Sequence, residues 1–269
     1  MRERLDKILV SKGLVKSREL ARSLIIGGKV FVDGVKVAKA GSQVRVSSEI
    51  ILKESGIPFV SRGGLKLDAA LTFFAIDVTD KVIMDVGSSS GGFTDCLLGR
   101  GARKVFCVDV GYGQLAWKLR QDPRVVLLER TNIRDLNAMI QRHDPKLRDE
   151  KFEDLKMRLI DIAAIDVSFI SLMKVIPETL KFLKGNGEII ALLKPQFEVG
   201  KGEVGKGGII RDEEKRLSAV SKVRDALTEI GVPTEGVFES PVPGQKGNIE
   251  YFLYIKLPKN GRKKTFIAN

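Results

Sequence analysis

From about residue 80 onward, short apolar runs rich in β-branched residues alternate with stretches of helical spacing. That alternation constrains the fold more than any other feature. Strands are expected at Val82–Val86, Lys104–Val108, Val125–Leu128, Ile162–Val167, Glu188–Leu193, Gly236–Glu239 and Tyr251–Lys256. Helical stretches such as Phe93–Leu98, Leu172–Leu183 and Glu213–Ile230 lie between several of them. Strands separated by helices are joined by crossovers, so the expectation is an α/β chain with a doubly wound, mostly parallel sheet. Just ahead of it, Leu65–Phe74 sets Leu67, Ala70, Leu71 and Phe74 toward a core at helical spacing.

Residues 1–55 form a small α+β module of their own. Leu5, Ile8 and Leu9 recur at helical spacing up to Gly13, and Ser17 caps a second helix through Leu20, Ala21, Leu24 and Ile25, stopped by Gly27-Gly28. Val30 and Val32, then Asp33-Gly34, then Val35 and Val37, spell a hairpin with a type I′ turn, and Gln43–Val46 completes it. Residues 56–63, GIPFVSRG, read as a linker, because Pro58 and Gly63-Gly64 argue against continuous helix. The second domain then runs over residues 64–269, and its tail, KNGRKKTFIAN, is expected to fray.

With 43% hydrophobic and 30% charged residues in 269, the composition is that of a globular chain, which excludes global disorder and a disulfide scaffold. The net charge of +12 favours an anionic partner, either nucleic acid or a membrane surface. Residues 1–55 hold twelve Lys and Arg against six Asp and Glu, so half of that excess sits in the small module. Cys96 and Cys107 form neither a CxxC pair nor a framework, which points to a reducing compartment. MRERLDK lacks an apolar stretch after its charges, and no apolar run is long enough to span a bilayer. A cytoplasmic protein with no stable membrane association is the expectation.

The motif richest in chemistry is Asp85-Val86-Gly87-Ser88-Ser89-Ser90-Gly91-Gly92-Phe93-Thr94, set between a strand and a helix. Its glycines let the backbone turn tightly and approach a ligand. A loop of this kind serves dinucleotide, mononucleotide or S-adenosylmethionine sites; the spacing is neither G-x-G-x-x-G nor a Walker A loop. Asp109, at the end of the next strand, is placed to accept hydrogen bonds from ribose hydroxyls. Together Asp85, Gly87, Ser89, Gly91, Gly92, Phe93 and Asp109 favour an adenosine-type cofactor, and Asn132 suits the adenine edge. Lys66, Asp166, Lys194 and Glu250 stand at the ends or entrances of elements around the same sheet edge. There is no metal-ligand cluster.

Two resemblances sharpen this. RLDKILVSKGL, SRELARSLIIGGKVFVDGVKV and KAGSQV resemble the S4 RNA-binding domain along almost the whole first module. The resemblance implies that Arg4, Lys7, Lys12, Arg18 and Arg22 face structured RNA, contributing salt-dependent phosphate contacts but little sequence reading. Lys66, Asp166, Lys194 and Glu250 match in order and context the Lys-Asp-Lys-Glu tetrad of FtsJ-like ribose 2′-O-methyltransferases, and DVGSSSGGFTD looks like their cofactor loop. Three serines stand where several relatives carry a proline. The whole chain resembles the TlyA family, also called haemolysin A. This implies a Rossmann-like methyltransferase sheet, S-adenosylmethionine as donor, and a cytidine 2′-hydroxyl of ribosomal RNA, free or within ribosomal subunits, as acceptor.

Under that resemblance Lys194 is the candidate base, held partly neutral by Lys66 and desolvation, while Asp166 and Glu250 orient the lysines and the hydroxyl. The alternatives are a membrane-active cytolysin, as the haemolysin name suggests, and a non-catalytic RNA- or ribosome-binding protein. Gly200–Lys206 fits G-x-x-x-x-G-K, yet Gly207 replaces the Ser or Thr that holds magnesium. His143 is a loop residue, and both cysteines are small core side chains.

Overall fold

The computed structural model describes residues 2–15, 17–26, 28–52, 58–200, 202–205 and 207–258. The tail beyond Pro258, Gly27, Gly56, Ile57, Lys201 and Lys206 lie outside them. The chain divides into two compact units, Met1–Pro58 and Phe59–Asn269.

The first unit opens with β1 (Arg2–Arg4), followed by α1 (Leu5–Ser11) and α2 (Arg18–Ile26). The Ser17 hydroxyl accepts from the Leu20 amide at 3.2 Å, starting α2. Then come β2 (Val30–Val32), β3 (Val35–Lys36), β4 (Gln43–Arg45) and β5 (Ile50–Leu52). Asp33 and Gly34 both take positive φ, 49° and 78°, as a type I′ turn requires. Gln43–Arg45 does not extend the hairpin as expected. It pairs antiparallel with β1, and β5 joins β2 instead, giving a two-stranded and a three-stranded sheet. The cause is a strand the hydrophobic pattern hides: Arg2–Arg4 is charged throughout and carries no alternation. Leu5, Leu9, Ala21, Ile25 and Val30 pack beneath.

The second unit follows the strand–helix alternation. Its elements are α3 (Arg62–Phe73), β6 (Val82–Val86), α4 (Gly92–Gly99), β7 (Lys104–Val108), α5 (Trp117–Arg120), β8 (Val125–Leu128), α6 (Ile133–Gln141), α7 (Glu153–Lys156), β9 (Ile160–Ile165), α8 (Ile176–Leu180), β10 (Leu183–Leu193), α9 (Glu213–Glu229), β11 (Thr234–Glu239) and β12 (Tyr251–Lys256). They build a seven-stranded sheet in the order β8-β7-β6-β9-β10-β12-β11. Strands β8, β7, β6, β9 and β10 run parallel, and β12 runs antiparallel to both of its neighbours, β10 and β11. One face is covered by α6, α7, α8 and α9 through Leu136, Leu155, Ile176 and Leu227; the other by α3, α4 and α5 through Leu71, Leu97 and Leu119. Alternation along β6 sends Val82, Met84 and Val86 to the first face and Ile83 to the second.

Two local departures matter for the site. Helix α3 begins at Arg62 and takes in Gly63 and Gly64, residues expected to break it. Ser61 caps it by accepting from the Gly63 amide at 3.3 Å. The glycines serve closeness: a Cβ on Gly64 would strike Phe59, and one on Gly92 would strike Ser61 Oγ and the Gly64 amide. The unit boundary therefore falls inside the expected linker, and Phe59, Val60 and Ser61 pack on the second unit's core or cap its helix. The expected Leu172–Leu183 helix is broken into a single turn at Leu172–Lys174 and α8, with Pro177 in the first turn of α8.

Candidate active site

The chain order of the sheet reverses at β6. From there it steps outward to β7 and β8, then returns to β9 on the other side of β6. Loops leaving the carboxyl ends of β6 and β9 diverge at such a point and leave a crevice. A cleft of about 250 Å³ lies there, lined by Gly87–Ser90, Gly92 and Phe93 after β6, Asp166, Ser168 and Phe169 after β9, Lys194, Gln196 and Phe197 after β10, and Lys66 and Glu250 from α3 and the entrance to β12.

All four tetrad residues meet in this cleft as two ion pairs. Lys66 Nζ donates to Glu250 Oε2 at 2.6 Å, with both side chains nearly sealed from solvent at 10% and 2% exposure. Gly244 makes room for that carboxylate, since a Cβ there would collide with Glu250 Oε1. Lys194 Nζ lies 2.6 Å from Asp166 Oδ1 and donates to Ser168 Oγ at 2.8 Å. The Asp166 contact is an off-line ion pair, leaving Oδ1 without an aligned donor. The cationic neighbour expected to hold Lys194 neutral is instead engaged with Glu250, and Lys194 has a carboxylate of its own.

The glycine-rich turn forms a cradle. Gly87 takes φ of 86° and lies against the backbone carbonyl of Asp166, where a Cβ would collide; Gly91, at φ of 93°, caps α4 in the left-handed conformation. Asp109 accepts from the amides of Ser89 and Gly111, both at 2.7 Å, which ties the turn to the end of β7. A carboxylate has about four lone-pair positions, so Asp109, which is not among the residues lining the cleft, keeps acceptor capacity beyond these two bonds. These residues fit an adenosine-bearing donor.

Two expected cofactor residues have other partners. Asp85 is fully buried under the turn, 0% exposed and absent from the cleft wall. It accepts from Thr94 Oγ1 at 2.6 Å, and its other oxygen has no partner. Burial, with Asp166 and Asp109 adding like charge, pushes its carboxyl up to about 7. Asn132 accepts from the amide and side chain of Arg134 and caps α6.

In the first unit, Arg4, Arg18 and Arg22 converge on the buried Asp6 at 3.0, 3.0 and 3.5 Å, and Lys12 donates to the Ser48 carbonyl at 3.1 Å. Lys7 is exposed. Asp6 escaped sequence reasoning, although RLDK hinted at it: an acid between apolar residues at helical spacing points inward. Ser168, Phe169 and Phe197 were missed as well. Phe169 is 89% exposed, holds a positive φ of 64°, and lies 4.9 Å from the Phe197 ring. Only the structure reveals this exposure and backbone strain beside the cleft.

Among the described residues no group of three or more His, Cys, Asp or Glu could hold a metal, and no helix is long and apolar enough to cross a membrane. Cys96 and Cys107 are buried free thiols, pushed upward by desolvation.

Comparison with known proteins adds to this geometry. The model of the FtsJ-like methyltransferase family matches residues 59–257, and that of the S4 domain matches residues 3–50. The chain is 44% identical over 256 residues to the 16S/23S rRNA (cytidine-2′-O)-methyltransferase TlyA of Mycobacterium tuberculosis, covering 95% of this chain and 90% of that one. It is 40% identical over 252 residues to Hemolysin A of Brachyspira hyodysenteriae, covering 94% and 99%. A solved structure of a candidate hemolysin from Streptococcus thermophilus superposes with a TM-score of 0.68 at 37% identity, covering 95% of this chain and 88% of that one.

Proposed function

Because the chain belongs to the FtsJ-like methyltransferase family and carries an S4 domain ahead of the methyltransferase domain, we propose that it methylates a cytidine 2′-hydroxyl of ribosomal RNA. The observation that carries this reading is the meeting of Lys66, Asp166, Lys194 and Glu250 around one cleft beside the glycine cradle. The relative from M. tuberculosis bears the name of that activity.

S-adenosylmethionine supplies a methyl on a positive sulfur, transferable without a metal. The Gly87–Phe93 turn and Asp109 would hold it. A ribose hydroxyl is a weak nucleophile at neutral pH and has to lose its proton as it attacks. Lys194 is the group assigned to take that proton. The amine acts from its neutral form, and Asp166 Oδ1, 2.6 Å away, with Ser168 Oγ at 2.8 Å, fixes the position of its Nζ. Lys66 and Glu250, closed on each other, offer the hydroxyl a fixed polar wall rather than a proton acceptor. Phe169 presents an open ring on which a base displaced from its stack can lie, which would bring its sugar to Lys194. Much of the acceleration then comes from alignment of the reacting atoms.

Arg4, Lys7, Lys12, Arg18 and Arg22 supply phosphate contacts, with Asp6 fixing three of them. The protein works in the cytoplasm, where ribosomal subunits are.

Incubation with methyl-labelled S-adenosylmethionine and separate small and large ribosomal subunits tests the reading. The expected result is label on the ribose of a cytidine. Label on a base, or subunits bound without label, overturns it. Lysis of membranes without label supports the cytolysin instead.

A further inference from the structure

One wall of the cleft is built from two loops that leave different strands. Residues 166–171 follow β9 and residues 194–199 follow β10. Lys194 bridges them at the mouth through Asp166 and Ser168, and Phe169 meets Phe197 beside it. Behind these, Glu198 forms a third bridge that no mechanistic step uses. Its Oε2 accepts from Ser171 Oγ at 2.6 Å and its Oε1 from the Leu172 amide at 2.8 Å. The residue is 9% exposed. Burying a carboxylate is costly, and desolvation pushes its carboxyl upward, opposed first by the Ser171 and Leu172 hydrogen bonds and then by Lys222 on α9. A group held at such a cost, between the two loops that carry the reacting side chains, has a positional task.

We infer that Glu198 is a positioning residue: by binding one O–H and one N–H across the gap, it sets the spacing between the Asp166–Phe169 loop and Lys194. The inference rests on the methyl-transfer reading for its effect on turnover. The clasp itself can be measured without turnover. Glutamine has the same shape, can accept from Leu172 and can donate to Ser171, so it keeps both bonds. Alanine loses both.

The full-length Glu198→Ala and Glu198→Gln proteins are compared for kcat and KM on ribosomal subunits, affinity for S-adenosylmethionine, thermal unfolding, and hydrogen exchange over residues 166–174. The alanine variant is expected to lose about 10- to 100-fold in kcat, the penalty for misplacing reacting groups by an ångström or less. Its donor affinity stays within about threefold, because the cradle lies on other loops. Exchange over 166–174 quickens. The glutamine variant recovers most of the lost kcat and the slow exchange. If Glu198→Ala does not fold, Ser171→Ala removes one of the two bonds, with an expected loss of about threefold to tenfold in kcat. Unchanged kcat in a folded alanine variant, unchanged exchange, or a glutamine variant as impaired as alanine overturns the inference. A wild-type protein that transfers no methyl group sinks the enzymatic reading alone, and the exchange measurement still decides the clasp.

Discussion

Each unit buries one aspartate completely, and the two carboxyls meet opposite fates. Asp6 in the first unit and Asp85 in the second are both 0% exposed. Asp6 receives Arg4, Arg18 and Arg22, and its carboxyl is driven far below the ordinary range, chiefly by the Arg4 hydrogen bond. Asp85 receives one threonine hydroxyl and has Asp166 and Asp109 for neighbours, so its carboxyl rises to about 7. Burial alone raises a carboxyl; converging cations reverse the sign. The first unit thus uses a sealed charge to hold half-exposed arginines in place, at 38, 46 and 55% side-chain exposure. The second leaves its sealed acid without a cation beneath the turn, and the charges of Lys66, Asp166, Lys194 and Glu250 line the cleft.

The largest expected effect tests whether the cleft is chemical where the first unit is only adhesive. Lys194→Ala should lower kcat by about 10³-fold, with donor and RNA affinities retained; near-normal turnover would remove Lys194 from its role. Gly87→Ala comes next. Its φ of 86° and the Asp166 carbonyl leave no room for a Cβ, and a loss of about 3 kcal/mol in stability is expected by calorimetry.

The two aspartates themselves give the third measurement. Between pH 4 and 7 the unfolded chain has released the Asp85 proton, whose ordinary value is 3.8, while the folded protein keeps it. The folded state binds more protons there, so stability falls as pH rises across that window. Asp85→Asn should flatten this slope and be worth about 4 kcal/mol relative to wild type at pH 8, compared with pH 4. Asp6 acts with the opposite sign. Its contribution is full above the unfolded value and is lost only as pH falls below about 4. A wild-type stability that rises with pH from 4 to 7 would refute the contrast.

The smallest effect lies at the surface. Arg22→Gln should weaken rRNA binding by about threefold and reduce the salt slope by about one, without altering kcat. A loss of turnover instead would show that the arginine cluster does more than hold phosphate.

Much of the second unit was legible because its signals are local. Val82–Val86, Lys104–Val108, Val125–Leu128 and Tyr251–Lys256 form strands at the expected residues, since unbroken apolar runs between turns are what buried parallel strands and their neighbours look like. The glycine turn announced itself by composition. The small module was less legible: Arg2–Arg4 is a strand only because Gln43–Arg45 comes to pair with it. Asn132 caps α6, a task the sequence did not single out because a capping residue and a binding residue share one side-chain chemistry.

Local order in the chain therefore decided the strands, the turns and which residue types were available for chemistry, because apolar periodicity and glycine act within a few positions. Partnership was decided only on folding. Lys66 and Glu250 are 184 residues apart and meet at 2.6 Å, and Lys194 faces Asp166 rather than Lys66. Glu198 spans two loops that nothing in the chain's order joins. Charge pairs are chosen by which carboxylate the closed sheet brings within reach, and burial then fixes how strongly each pair acts; neither quantity exists before the strands assemble.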